Sequence, residues 1–257
     1  MPSTIRFYKK PDNSTDLVRI PKSQIKKSRE ILHIVNSQNN EKMFFADKVI
    51  LVEGISDRLV FEKLINTFSD NNKKNEVIEV LEVGNKYYLQ KYRDFLGVVK
   101  VKNYIISDHD YLKDVGTPDI KKLYKADDKK IKNDVLNSDK SQDKKTLVKF
   151  LDSAIKRCDK SGLKRIWEQI KDQKSSLKPN LTKEELKLIS EFINEKAKDN
   201  LFILSDGQLE DYFPIGQHNL DLVLKFIKAN NFNKWLKEKG NTKKQEILKM
   251  IDTIVKA

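Results

Sequence analysis

VILVEGISD, residues Val49 to Asp57, decides the fold: four aliphatics in a row run into Glu53 and Gly54, with Asp57 a short turn further on. An apolar run of this length bounded by a turn signal reads as a strand buried on both faces, the kind found in parallel sheets. YIISDHD, residues Tyr104 to Asp110, repeats the pattern and closes on Asp108 and Asp110. In an open α/β sheet, two such strands side by side bring their terminal carboxylates together at the carboxyl edge, where ligands bind.

Working outward from this pair, Ser56 is placed to cap a helix in which Phe61, Leu64, Ile65 and Phe68 recur at helical spacing. VIEVLEV (77–83) predicts a second strand, ended by Gly84, and VKNYIIS (101–107) a third. Between them Tyr88, Tyr92, Phe95 and Leu96 share one face of a helix over 86–96. Strand, helix, strand, helix, strand at this spacing predicts βαβ units with right-handed crossovers, hence a parallel sheet. LFIL (201–204) supplies a fourth strand, SDGQLEDYF opens a helix over 205–213, and the apolar residues from Leu222 to Ile254 predict two or three closing helices. Upstream, TIRFY (4–8), the turn-like PDNS (11–14) and LVRI (17–20) predict a hairpin, and Ile25, Ile31, Leu32 and Val35 a helix over 22–36.

From Leu112 to Asn200 the character changes. Between Lys121 and Lys178 there are 18 Lys and Arg against 9 Asp and Glu, so this segment carries +9 of the chain's +13. Leu147, Phe150, Leu151, Ala154 and Ile155 form one helical face, and Leu163, Ile166, Trp167 and Ile170 another. The chain therefore reads as an N-terminal extension (1–43), a first core part (44–111), a basic helical insertion (112–200) and a core return with closing helices (201–257). The insertion is either a solvated helical hairpin or the wall of a nucleic-acid groove, and the charge favours the groove.

With 257 residues, 38% apolar and 35% charged, the chain can bury a core, and its pI near 9.4 favours a polyanionic partner. Nucleic acid fits better than a membrane surface, because no basic helix carries a strong apolar face. A single cysteine, Cys158, excludes internal disulfides and cysteine-rich zinc sites and suits a reducing, cytoplasmic setting. No export signal and no apolar run of membrane-spanning length is present. None of the 8 glycines stands in a phosphate-loop context, so ATP hydrolysis by this chain is not expected.

Glu53 closes the first strand and Asp57 lies four residues on, so the two can point into one space above the sheet. If the chain stays extended, Asp108 and Asp110 project to one side and His109 to the other. Converging carboxylates repel, and hard divalent cations relieve the repulsion. All-oxygen donors suit Mg²⁺, Mn²⁺ or Ca²⁺ rather than zinc. Plainer roles compete: Asp57 as a helix N-terminal acid, Asp108 and Asp110 as turn residues. Glu53 has no such role, since a Glu directly after VILV gains nothing structurally.

VEG (52–54) with SD (56–57), followed by the DxD of Asp108 and Asp110, resembles the Toprim fold of topoisomerases, bacterial primases, recombination mediators and some nucleases. More closely, FFADKVILVEGISDRLVFEKLI (44–65), EVGNKYYLQKYRDFL (82–96) and LSDGQLEDYF (204–213) resemble the carboxy-terminal half of the overcoming lysogenization defect (OLD) family nucleases. The resemblance implies a Toprim, Rossmann-like parallel four-stranded sheet flanked by helices, and a DNA endonuclease or nickase holding two Mg²⁺ or Mn²⁺ ions, with Ca²⁺ as a supporting ion. Glu53, Asp57, Asp108 and Asp110 match the family's signature acids. Glu210, with its neighbour Asp211, matches the acid of the later LEDY motif, and Lys244 or Lys243 the family's late lysine. An ABC-type ATPase partner, a homodimer and a part in phage defence are implied as well.

On that reading metal-activated water attacks a phosphodiester while a second cation about 4 Å away stabilises the leaving oxygen. Glu53 relays a proton, and the late lysine offsets transition-state charge. The rival is a non-catalytic Toprim DNA-binding or scaffolding module that tethers an ATPase. A primase or recombination mediator lacks its zinc cysteines here, a topoisomerase lacks room for its tyrosine domain, and a phosphoacceptor receiver is about half this length.

Overall fold

The strands run, in chain order, β1 (Ile5–Lys9), β2 (Thr15–Arg19), β3 (Lys48–Val52), β4 (Ile78–Glu82), β5 (Lys102–Ser107), β6 (Tyr124–Ala126), β7 (Ser175–Leu177) and β8 (Leu201–Ile203). The helices are α1 (Ile55–Ser69), α2 (Lys86–Val98), α3 (Leu112–Val115), α4 (Pro118–Lys121), α5 (Lys160–Gln173), α6 (Lys183–Lys198), α7 (Leu209–Tyr212), α8 (Leu220–Phe226), α9 (Ala229–Lys237) and α10 (Thr242–Lys256). They come from a computed structural model that describes residues 5–10, 12, 14–19, 41–69, 76–126, 149, 151–153, 155–215 and 219–257. The chain divides into two compact units, one of Met1–Tyr111 with Phe192–Ala257 and one of Leu112–Glu191.

In the first unit β3 lies inside a four-stranded sheet of order β4-β3-β5-β8, parallel at every pairing. All five β3 residues are buried, as the unbroken apolar run requires of a strand covered on both faces. The register sets the strand ends side by side: Val52 pairs with Glu82, Leu51 with Ile105, and Ser107 with Ile203. Whatever follows each strand therefore emerges at one edge. Val60, Phe61, Leu64 and Ile65 of α1 are buried, with Phe68 partly so, which is the stripe read from the sequence. On α2 the buried face is Leu89, Tyr92, Phe95 and Leu96, while Tyr88 is half-buried. This is the Toprim arrangement of a parallel sheet flanked by helices.

The amino-terminal hairpin is present, with β1 antiparallel to β2 from Ile5 opposite Arg19 to Lys9 opposite Thr15. The helix read over 22–36 lies outside the described residues. At the other end, residues 205–213 do not form one helix. Only Leu209–Tyr212 is helical, because Gly207 takes φ +86°, a conformation that interrupts a right-handed helix. Beyond it, α8, α9 and α10 close the unit around Phe213, Phe226, Phe232 and Trp235, whose neighbouring ring centroids lie 5.0–6.0 Å apart.

The second unit is less purely helical than its periodicity suggests. β6 and β7 pair antiparallel, Tyr124 opposite Leu177 and Ala126 opposite Ser175. Strands of three residues are too short to show a period of two. On α5 Ile170 is buried, but Trp167 is 47% exposed, so the apolar face read there is only partly covered. Of the other face, Leu147, Phe150 and Ala154 lie outside the described residues, and Ile155 is exposed.

Candidate functional site

Glu53 and Gly54 leave the end of β3, and Gly84 donates its amide to the Glu53 carbonyl at 2.9 Å, tying the turn after β4 to the turn after β3. Asp57 Oδ2 accepts the Gly54 amide at 3.0 Å. Asp57 is the third residue of α1 reaching back to the residue before the helix, half of a capping box. Ser56, read as the cap, lies inside the helix instead, since α1 already begins at Ile55. Helix capping and a place at the carboxyl edge thus coincide in Asp57.

Asp108 and Asp110 do not alternate along an extended chain. His109–Tyr111 is a 3-10 turn. The bend is held from β8 and the loop behind it: His109 donates its amide to the Gly207 carbonyl at 2.9 Å and its Nδ1–H to the Leu204 carbonyl at 3.0 Å. Asp108 Oδ1 accepts the Leu209 amide at 3.1 Å. The return of residues 201–213 to this edge is therefore a direct hydrogen-bonded connection to the Asp108 turn.

Burial pushes the Asp108 carboxyl up to about 8, and the charges of Asp57, Asp110 and Glu53 push the same way against the Lys86 ammonium. The other three signature acids thus lie within electrostatic reach of Asp108. Lys86, which reasoning from acids alone missed, stands among them. Its Nζ is ion-paired with Asp110 Oδ1 and lies 3.5 Å from Glu53 Oε2. Burial works to lower its pKa, but Asp110, Glu53 and Asp108 together raise it. Lys86 opens α2, with Asn85 capping that helix by accepting the Tyr87 amide at 2.9 Å. Considering every residue in the βα turns of this edge, rather than the acids alone, would have found it.

The later residues separate. Both carboxylate oxygens of Glu210 are shielded from solvent, one residue along from the Leu209 amide that binds Asp108. Asp211 is exposed, and its Oδ2 accepts the Gln208 amide at 2.9 Å, completing the capping box of α7. Lys244 is buried; its Nζ donates to the carbonyls of Trp235, Leu236 (3.1 Å) and Glu238 (2.7 Å) and stands 4.9 Å from the Trp235 ring centroid. That ammonium closes the carboxyl end of α9. Lys243 takes another course: Nζ lies 2.9 Å from Asp206 Oδ2 and 5.3 Å from the Tyr212 ring centroid, on the loop after β8. Glu246 anchors the same loop through the Ser205 amide (2.8 Å) and the Tyr212 hydroxyl (3.0 Å).

The hard oxygen donors of Glu53, Asp57, Asp108 and Asp110 are of the chemical kind that suits Mg²⁺ or Mn²⁺. Among the described residues, however, no three His, Cys, Asp or Glu side chains are already arranged to hold a metal ion. In the second unit a pocket of about 320 Å³ is lined by Lys113, Lys121, Lys125 and Lys171, one acid, Glu168, and Tyr124, Ala126 and Ser175. Lys113 Nζ donates to the Ser175 carbonyl at 2.7 Å, which fixes one of those four lysine charges in place.

Residues 44–110, the span from the approach to β3 through the Asp110 turn, match the family described as "Overcoming lysogenization defect protein-like, TOPRIM domain". This stretch is an OLD-like TOPRIM domain. An OLD-like TOPRIM domain is a nuclease-family module. No curated protein matches the chain. Among solved structures, the C-terminal region of the Xanthomonas campestris pv. campestris OLD protein is 14% identical, with a TM-score of 0.36 over 84% of this chain and 95% of that one. The C-terminal region of the Burkholderia pseudomallei OLD protein is also 14% identical, with a TM-score of 0.32 over 82% and 83%. Overlap at that level carries no weight for function. No helix among the described residues is long and apolar enough to cross a membrane.

Proposed function

We propose that the chain is a divalent-metal-dependent DNA endonuclease or nickase, the nuclease part of an OLD-type system whose ATPase is a separate domain or subunit. The observation that carries this reading is the gathering of Glu53, Asp57 and Asp110 around the half-buried Asp108 at the carboxyl edge of the sheet. Those four acids would hold Mg²⁺ or Mn²⁺, with Glu210 beside them. When bound, the cations supply the charge that activates water and stabilises the leaving oxygen. In the hydrolysis, the water oxygen bonds to phosphorus, the bond from phosphorus to the deoxyribose oxygen breaks, Glu53 takes the water's proton, and the leaving oxygen is protonated from solvent. Of the two late lysines, Lys243 has its ammonium on the loop after β8 and is the better placed to meet phosphate.

DNA as substrate is supported by the net charge of +13 and by the lysine-lined pocket of the second unit, which suits phosphodiester oxygens. The test is nicking of supercoiled plasmid in Mg²⁺ or Mn²⁺. Glu53→Ala and Asp108→Ala are expected to lower it by orders of magnitude, and undiminished nicking by either variant overturns the reading.

One observation favours the non-catalytic alternative. The Lys86 ammonium already balances Glu53 and Asp110. A scaffolding module predicts salt-sensitive DNA binding that needs no divalent ion and survives both substitutions.

A further inference from the structure

We infer that Lys86 is a tethered counter-ion that competes with divalent cations for Glu53 and Asp110, so that the acid edge takes up metal only as the lysine swings away. The inference rests on the reading of those acids as ligands and adds a residue that sets their affinity.

Three observations carry it. The Lys86 ammonium pairs with Asp110 and stands 3.5 Å from Glu53, bridging the turn after β5 to the turn after β3. Its side chain is only 20% exposed, against 38% for Glu53 and 49% for Asp110, so the lysine is more covered than the carboxylates it joins. Lastly, Lys86 is the first residue of α2, whose first turn holds no acid. A cation there opposes the helix dipole, which favours negative charge at an amino terminus. The position is unfavourable for α2 alone and is compensated by the carboxylates across the edge.

A lysine on a four-carbon stem differs from a bound ion in two ways. It carries one charge where Mg²⁺ or Mn²⁺ carries two, so a divalent ion wins on charge once its concentration suffices. It is also attached, so its effective concentration at the acids is high and independent of the solution, and an incoming cation must displace it. The arrangement keeps the acids paired when metal is scarce and sets a threshold for loading.

The test is a titration of Mn²⁺ into the full chain, stripped of metal and free of DNA, with free Mn²⁺ followed by electron paramagnetic resonance. Lys86→Met is expected to bind Mn²⁺ roughly five- to ten-fold more tightly than the parent, the change that removal of one partly buried charge brings. Lys86→Arg, which keeps the charge, is expected to stay near the parent affinity. Lys86→Gln serves in place of the Met variant if thermal unfolding shows that variant misfolded. Unchanged or weaker Mn²⁺ binding in the charge-removed variant overturns the counter-ion role while leaving the acids as ligands. If neither the parent nor any Lys86 variant binds Mn²⁺ more tightly than Glu53→Ala, the ligand reading fails, and this inference with it.

Discussion

Two lysines with restricted exposure show how differently one side chain is used in the two ends of this unit. Lys244 lies under the closing helices, its ammonium shared among the carbonyls that end α9 and set against the Trp235 ring. Lys86 lies at the sheet edge with its ammonium shared between carboxylates. Carbonyl dipoles cannot leave and no ion from solution replaces the lysine they hold, so Lys244 is a permanent part of the core. Carboxylates exchange one cation for another, so Lys86 is replaceable. Regions built for stability satisfy each polar group once, whereas regions built for chemistry leave like charges crowded together.

The sharpest way to break the comparison is at the acids. Glu53→Ala or Asp108→Ala is expected to lower plasmid nicking by roughly 10²- to 10³-fold, the scale of losing a group that stabilises transition-state charge, and Glu53→Ala to do so without loss of thermal stability. Unfolding of Glu53→Ala at lower temperature than the parent would assign that carboxylate to scaffolding. Next comes Lys244→Met, which strands the carbonyls of α9 and is expected to cost about 2–4 kcal/mol in urea unfolding, with nicking retained while the protein is folded. Lost nicking with unchanged unfolding would instead make Lys244 catalytic.

A smaller effect follows from protons. The Asp108 carboxyl titrates near 3.8 in the unfolded chain and about 8 in the folded one. Between those values the folded state holds a proton that the unfolded state has released, so stability of the metal-free protein falls as pH rises from about 4 to about 8 and levels off above. The expected drop in Tm is several degrees by calorimetry, about 2–4 °C for each kcal/mol, and Asp108→Asn should flatten it. A slope unchanged in that variant would place the titration elsewhere. The smallest effect is for Lys243→Ala, whose ion pair with the 74% exposed Asp206 is expected to contribute under about 1 kcal/mol. A fall in nicking much larger than that loss of stability would mark Lys243 as the late lysine of the proposed reaction.

Much of this architecture is written locally. VILV and YIIS are apolar without interruption because strands covered on both faces have no wet side, and the stripes of α1 and α2 repeat at helical spacing because each buries one face. Glu53 and Asp108 were legible for the same reason: a charge ending an apolar run has to leave the core at the strand end. Those local rules determined the sheet, the edge that matters and its acids.

Other features depend on residues far apart in the chain. The 3-10 turn at His109–Tyr111 is held by carbonyls of Leu204 and Gly207, nearly a hundred residues on, so nothing within DHD announces it. β6 and β7 are three-residue strands that exist only as a pair. Lys243 and Lys244 are adjacent in a helix where successive residues point about 100° apart. Which of them enters the core was decided by where α9 ends, as three carbonyls needed a donor there. Lys86 likewise carries no mark of its own in EVGNKYY. Its partners lie in two other turns, and only the parallel register of the strands brings all three together.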